Sequence, residues 1–281
     1  MAEPVPEPAT IAALLAEARA LGVDRLDAHM LLEGALTCTR TWLLAHDDEV
    51  LSSAQLANLR AWLARRASGE PVAYLLGEKE FHGLRLQVDS NVLVPRPDTE
   101  VLVDWALELL GHALADRAAP SVIDLGTGSG AIALAVKHRR PKASVVATDL
   151  SAAALAVATA NAKRLDLRVR LRQGGWWRAA AGERFDLALS NPPYIAGDDH
   201  HLAALRHEPR LALTPEGDGL AALQEIIAGA PRHLQPGGWL LLEHGHDQAE
   251  AVAALLRAQG LADVQTRRDI AGHERCTGGH L

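Results

Sequence analysis

The sequence holds only two cysteines, Cys38 and Cys276, far apart and with no CxxC pair, so nothing supports a disulfide framework or a thiolate metal site. It also lacks any apolar run approaching the roughly 20 residues that a membrane span needs. Met1 to Thr10 carries Glu3 and Glu7 where an export leader would place basic residues. A soluble cytoplasmic protein is the expectation. Basic charge is in short supply: 28 Lys and Arg stand against 35 Asp and Glu, for a net charge of -7 and a pI near 6.0. That weighs against affinity built mainly on phosphate contacts, although such a balance can hide a local basic patch. Internal repeats and low-complexity segments are missing too, apart from an alanine bias that suits helices.

What the sequence does have is 48% hydrophobic side chains, enough for a full core. The first 80 residues read as short helices. Thr10 heads an apolar-periodic run through Ile11, Leu14, Leu15 and Ala18, Asp24 can cap a second helix, and Ser52 and Ser53 open a third through Leu56, Leu59 and Leu63. Up to Arg85 this segment holds 8 Lys and Arg against 12 Asp and Glu, so it is no basic nucleic-acid arm. Alternating stretches at Leu84-Leu86-Val88 and Val92-Leu93-Val94 suggest a β-hairpin linker over residues 81–96.

From Pro97 onward, strands alternate with helices, the pattern of an α/β sheet covered on both faces. Strands are expected at Ser121 to Leu125, Ser144 to Asp149, Arg168 to Leu171, Phe185 to Ser190, Trp239 to Glu243 and Val264 to Arg268. Helices are expected between them, including Ala131 to His138, Ser151 to Lys163, Leu220 to Ala230 and Gln248 to Gln259. The resulting division is a helical domain over 1–80, the hairpin over 81–96 and a catalytic domain over 97–281.

Three motifs carry chemistry. Gly126-Thr127-Gly128-Ser129-Gly130 follows the first strand of the sheet, and its glycines let backbone approach a ligand closely. Such a loop can cradle a dinucleotide or S-adenosylmethionine, and its GxGxG spacing departs from GxGxxG toward the methyl donor. Asp149 ends the next strand, where a carboxylate can accept both ribose hydroxyls; a helix cap is the plainer reading. Asn191-Pro192-Pro193-Tyr194 follows the strand from Phe185. Its prolines have no N–H to donate and force an extended path, leaving carbonyls free to accept. Asn191 Oδ1 and the Pro192 carbonyl can then hold the two hydrogens of a planar NH2 group, with Tyr194 flat against it. An ordinary turn after a strand is the alternative.

These motifs, with Glu70 to Gly77, Phe81-His82-Gly83, Val94-Pro95-Arg96-Pro97-Asp98-Thr99-Glu100, Asp218-Gly219-Leu220, Pro236-Gly237-Gly238 and Arg268 to Gly272, resemble the protein-(glutamine-N5) methyltransferases that modify peptide chain release factors. The likeness runs from about Glu70 to the C-terminus. It implies a Rossmann-like class I methyltransferase sheet, S-adenosylmethionine as cofactor, and a glutamine of the release-factor GGQ motif as substrate. It further implies that Gly126 to Gly130, Asp149, Trp176 and Asn191 contact the cofactor. Asn191, Pro192, Pro193 and Tyr194 would hold the glutamine, and Asn191, Pro192 and Tyr194 would serve catalysis.

Trp177 can exchange with Trp176 for the place near the adenine, and core packing is the alternative for either. The tail from Arg275 to His280 is polar where the family is usually apolar, which leaves the last strand loosely specified. Relatives that modify a ribosomal-protein glutamine share the Asn-Pro-Pro-Tyr loop but depart from Pro-Arg-Pro-Asp-Thr-Glu. Enzymes acting on the exocyclic amine of adenine are the rival from nucleic-acid chemistry. His200, His201, His207, His244 and His246 complete no recognised metal-ligand spacing. A monomer with no metal and no nucleic-acid partner is expected.

Overall fold

The computed structural model describes residues 9–281, and the reading of Met1 to Pro8 as no leader lies outside them. The chain forms two compact units that divide after Gly77. Among the described residues no helix is long and apolar enough to cross a membrane.

The first unit is helical: α1 (Ile11–Ala20), α2 (Arg25–Leu36), α3 (Arg40–Ala45), α4 (Ser53–Ala67) and α5 (Val72–Leu76). Its helix starts are set by side chains. Thr10 Oγ1 accepts from the Ala13 N–H, Asp24 Oδ1 from the Leu26 N–H, and Ser52 forms a reciprocal capping box with Gln55. Ile11, Leu14, Leu31, Leu56, Leu59 and Leu63 meet in one buried cluster.

The second unit begins with a two-stranded antiparallel hairpin, β1 (Glu78–Phe81) and β2 (Leu84–Gln87). His82 and Gly83 both take positive φ, 50° and 82°, which is the backbone a two-residue hairpin turn demands. Sequence alternation placed the second strand at Val92–Val94. Instead the chain turns at Asp89, whose carboxylate accepts from the Asn91 N–H at 2.8 Å and whose carbonyl accepts from the Val92 N–H at 3.2 Å, and residues 92–94 belong to no strand. The hairpin therefore starts inside the segment read as helical.

The remaining elements are α6 (Glu100–Gly111), β3 (Ser121–Leu125), α7 (Ala131–Arg139), β4 (Ser144–Asp149), α8 (Ala152–Arg164), β5 (Arg170–Gln173), β6 (Phe185–Ser190), α9 (Ala221–His233), β7 (Leu234–Glu243), α10 (Ala249–Ala258), β8 (Ala262–Arg268) and β9 (Glu274–His280). The seven strands lie in the order β5-β4-β3-β6-β7-β9-β8, parallel except for β9, which pairs antiparallel with both neighbours. Successive side chains point to opposite faces. Val122, Leu187 and Leu241 thus pack with α6 and α7, while Ile123, Ala188 and Leu240 pack with α9 and α10. Strand order reverses between β3 and its neighbours β4 and β6, and at such a switch point the strand ends open a crevice.

Polar β9 fills an interior place in the sheet. Its hydroxyls satisfy one another's neighbourhood: His244 Nε2 and Thr277 Oγ1 are 2.7 Å apart, and Thr266 Oγ1 and Thr277 Oγ1 are 2.9 Å apart. A side chain on Gly278 would meet Leu241 and Trp105, so close packing selects glycine where an apolar residue was expected.

Candidate functional site

A cavity of about 420 Å³ opens at the C-terminal ends of β3, β4 and β6. Its floor is the loop after β3. Gly126, Gly128 and Gly130 all have positive φ, and at Gly126 a Cβ would come within 3.1 Å of the Trp176 ring. The loop is strapped to β4 by the Gly126 and Thr127 N–H groups, which donate to the Thr148 carbonyl at 2.9 and 2.8 Å. Asp149 stands at the end of β4. It accepts from the Gly128 N–H at 2.9 Å and from the Ser151 N–H at 2.8 Å, so both oxygens are oriented while lone pairs remain for a ligand. The helix-cap and ligand readings of Asp149 are thereby compatible.

Of the residues singled out from sequence, Gly126, Thr127, Gly128, Ser129, Asp149, Trp176, Asn191 and Pro193 line this cavity. Gly130, Pro192 and Tyr194 do not. Gly130 starts α7, tight against Leu134 and Ala158. Pro192 is buried, and Tyr194 packs partly buried on the apolar layer beneath α9 and α10. The two tryptophans part company. Trp177 is core: its indole N–H donates to the Ile226 carbonyl at 2.8 Å and its ring stacks on His233. Trp176 is left as the aromatic wall.

The sequence assigns no site role to the rest of the lining, above all to Arg96 and Thr99 of the Pro-Arg-Pro-Asp-Thr-Glu motif and to Leu211 and Thr214. Arg96 is held by an ion pair to the buried Glu208, whose other oxygen accepts from the Val94 N–H at 3.0 Å. This fixes residues 94–96 against the segment around Pro209. Val92 and Leu93, where alternation suggests a strand, are part of the cavity wall. Of the histidines weighed as metal ligands, His244 is buried with Thr277, while His200 and His201 stand exposed beside Asp199.

A buried polar layer lies behind Asn191. Its Nδ2 donates to Thr99 Oγ1 at 3.1 Å, and the Tyr194 hydroxyl of the same loop donates to the buried Glu243 carboxyl at 3.3 Å. Asp218-Gly219-Leu220 serves the same loop. At φ 80° Gly219 leaves room for the Tyr194 carbonyl, which accepts from Gln248 Nε2 at 3.0 Å. Burial pushes the Tyr194 phenol well above its ordinary range, with the Glu243 charge adding to it, so the hydroxyl stays protonated and donates.

Burial also pushes Glu243 up to about 7, against the opposing pull of Thr99, Arg275 and Tyr194, with Asp98 adding a like charge. Asp124 is raised to about 7 by burial, opposed by Thr127 and Ala133 and reinforced by the charge of Asp149. For a carboxyl raised in this way the protonated form favours the fold. The contribution is complete below the ordinary carboxyl pKa of 4.5 and is lost as pH climbs through about 7. Glu243→Gln should therefore melt close to the parent near pH 5 and gain on it toward pH 8. The gain should be up to about 3 kcal/mol, or roughly 6–12 °C in Tm. Melting curves across that range check it; parallel profiles would mean that Glu243 ionises without cost.

The PrmC N-terminal domain model matches residues 9–77 and the methyltransferase small domain model matches residues 99–218. Among solved structures, a methyltransferase from Pyrococcus furiosus is similar at 20% identity with a TM-score of 0.52, over 70% of this chain and 88% of that one. The catalytic domain of hMettl16 is similar at 18% identity with a TM-score of 0.57, over 77% of this chain and 81% of that one. These likenesses establish the class I methyltransferase fold. The release factor glutamine methyltransferase of Burkholderia pseudomallei is 50% identical over 98% of this chain and 98% of its own length. That of Salmonella typhimurium is 46% identical over 92% of each. With 57% identity to the release factor glutamine methyltransferase of Bordetella pertussis, over 92% of this chain and 96% of that protein, the chain belongs to the release factor glutamine methyltransferase family.

Proposed function

We propose that this enzyme transfers a methyl group from S-adenosylmethionine to the side-chain amide nitrogen of the glutamine in the GGQ motif of peptide chain release factors. The observation that carries the reading is the meeting of the glycine loop, Asp149, Trp176 and Asn191 around one cavity. The residues fit the cofactor. The cavity lies within the roughly 300–1,000 Å³ of small-molecule sites. Asp149 offers free carboxylate lone pairs to a ribose diol, Trp176 offers a flat wall to a purine, and the glycine at 126 keeps the floor clear of a side chain. Bound there, S-adenosylmethionine supplies a methyl group on a positively charged sulfur, already activated for transfer.

The protein's own task is placement. A carboxamide nitrogen is a poor nucleophile because its lone pair is shared with the carbonyl, and fixed orientation can contribute roughly 7–11 kcal/mol in favourable cases. Asn191 Oδ1 and the Pro192 carbonyl would accept the two amide hydrogens, each bond contributing about 0.5–1.5 kcal/mol net. The proton lost from nitrogen passes to water. Incubation with labelled S-adenosylmethionine and purified release factor, adenine-containing RNA or neither tests the reading. Label should enter the release factor at its glutamine; label in RNA alone would overturn it.

The helical unit would dock the protein substrate, in the cytoplasm, with the enzyme acting as a monomer. Its acidic balance suits a protein partner better than a phosphate backbone. Removing residues 1–77 should leave S-adenosylmethionine affinity intact and lower kcat/KM for release factor by about tenfold or more, the equivalent of at least about 1.4 kcal/mol of docking. Calorimetry and steady-state kinetics on the folded fragment decide it. Loss of cofactor binding would show that the helical unit serves the cofactor site.

A further inference from the structure

Thr99 and Glu243 touch no ligand in the reading above, yet both are buried and both face the loop that holds Asn191. Thr99 is 4% exposed and Glu243 is 1% exposed. Thr99 belongs to Pro-Arg-Pro-Asp-Thr-Glu, and its hydroxyl already accepts from Asn191 Nδ2 at 3.1 Å. That leaves its own proton free to be donated elsewhere in the buried layer. Glu243 belongs to the same buried layer. Oε1 receives the Tyr194 hydroxyl, and Oε2 is buried without a hydrogen-bond partner among the described residues.

An asparagine side chain presents an acceptor on one side of its amide and a donor on the other. Facing a substrate NH2 group, the two orientations are opposite in effect: Oδ1 accepts an amide hydrogen, whereas Nδ2 repels it. Committing Nδ2 to Thr99 leaves Oδ1 as the group presented to the cavity. We propose that Thr99 is the positioning residue that locks the Asn191 amide with its acceptor toward the substrate. The inference rests on the assignment of Asn191 to the substrate amide. It gives the Pro97-Asp98-Thr99 turn a role in choosing an NH2-bearing substrate.

The test is a double-mutant cycle of Thr99→Val and Asn191→Ala, read as single-turnover methylation of release factor with cofactor saturating. S-adenosylmethionine affinity is measured alongside. Valine keeps the shape of threonine and removes the hydroxyl. Thr99→Val should slow transfer about 10- to 100-fold with cofactor affinity unchanged, as expected for lost alignment. Thr99→Ser should restore most of the rate, which a merely space-filling role would not do. In the Asn191→Ala background Thr99→Val should have no further effect, because coupled residues are not additive. If valine does not fold there, Thr99→Ala is read in its place. A normal rate in the Thr99 variant beside a slow Asn191→Ala sinks the proposal and leaves the Asn191 assignment standing. Additive losses sink it equally. A near-normal rate in Asn191→Ala removes the assignment itself and the proposal with it.

Discussion

Asn191→Ala should lower the single-turnover rate of glutamine methylation by two to four orders of magnitude while the protein stays folded. The substitution leaves one substrate amide hydrogen unpaired in the cavity, a penalty of about 1–3 kcal/mol, or roughly 5- to 150-fold. Loss of alignment adds to it, since a displacement of about 1 Å can cost on the order of a hundredfold. Asn191→Asp separates two roles of the side chain. It keeps an acceptor of nearly the same shape, but it removes the Nδ2 donor that Thr99 Oγ1 receives and sets a second carboxylate near Glu243. It should therefore be well below the parent, and Thr99 is the reason. Rapid-quench measurement with a glutamine-bearing release-factor fragment ranks the variants. A near-normal rate for alanine would mean that the substrate amide is held without Asn191.

That expectation was only half legible in the sequence. Asn191 declared itself because an apolar strand runs straight into Asn-Pro-Pro-Tyr, and local order of that kind survives without knowledge of the fold. The glycine loop and Asp149 were readable for the same reason: one follows and the other ends a largely apolar strand, and β3, β4 and β6 begin and end where the pattern put them. Thr99 and Glu243 stayed hidden because the contacts that give them meaning join segments about 50 to 150 residues apart, which no periodicity records. The pair Trp176 and Trp177 shows a similar limit. Identical neighbours differ only in that Trp177 finds the Ile226 carbonyl and His233, while Trp176 takes a positive φ of 41° and stays in the cavity wall. Val92-Leu93-Val94 misled through its composition. Alternation suited a strand, but the turn at Asp89 and the Glu208 carboxylate under the Val94 N–H take the segment to the cavity instead. In β9 the polar composition left the last strand loosely specified, and its polar residues satisfy one another inside the sheet.

Asp149→Ala should weaken S-adenosylmethionine binding by about 10²- to 10⁴-fold. Two hydroxyl donors of a ribose would lose a charged acceptor, and bonds to a charged group are worth about 1.5–3 kcal/mol each, or about 3–6 kcal/mol together. The loss has a second source. Asp149 holds the Gly128 N–H at 2.9 Å and the Ser151 N–H at 2.8 Å, so alanine also frees the middle of the glycine loop and the start of α8. Asp149→Asn isolates the two contributions. Its Oδ1 can keep one backbone N–H and one ligand hydroxyl, while its NH2 group cannot accept from the other pair. Asparagine should therefore fall between the parent and alanine. Equilibrium dialysis with the three proteins, beside melting curves, reads both effects at once. Reduced melting with unchanged affinity in alanine would make Asp149 a loop anchor alone, and the ribose would need another acceptor.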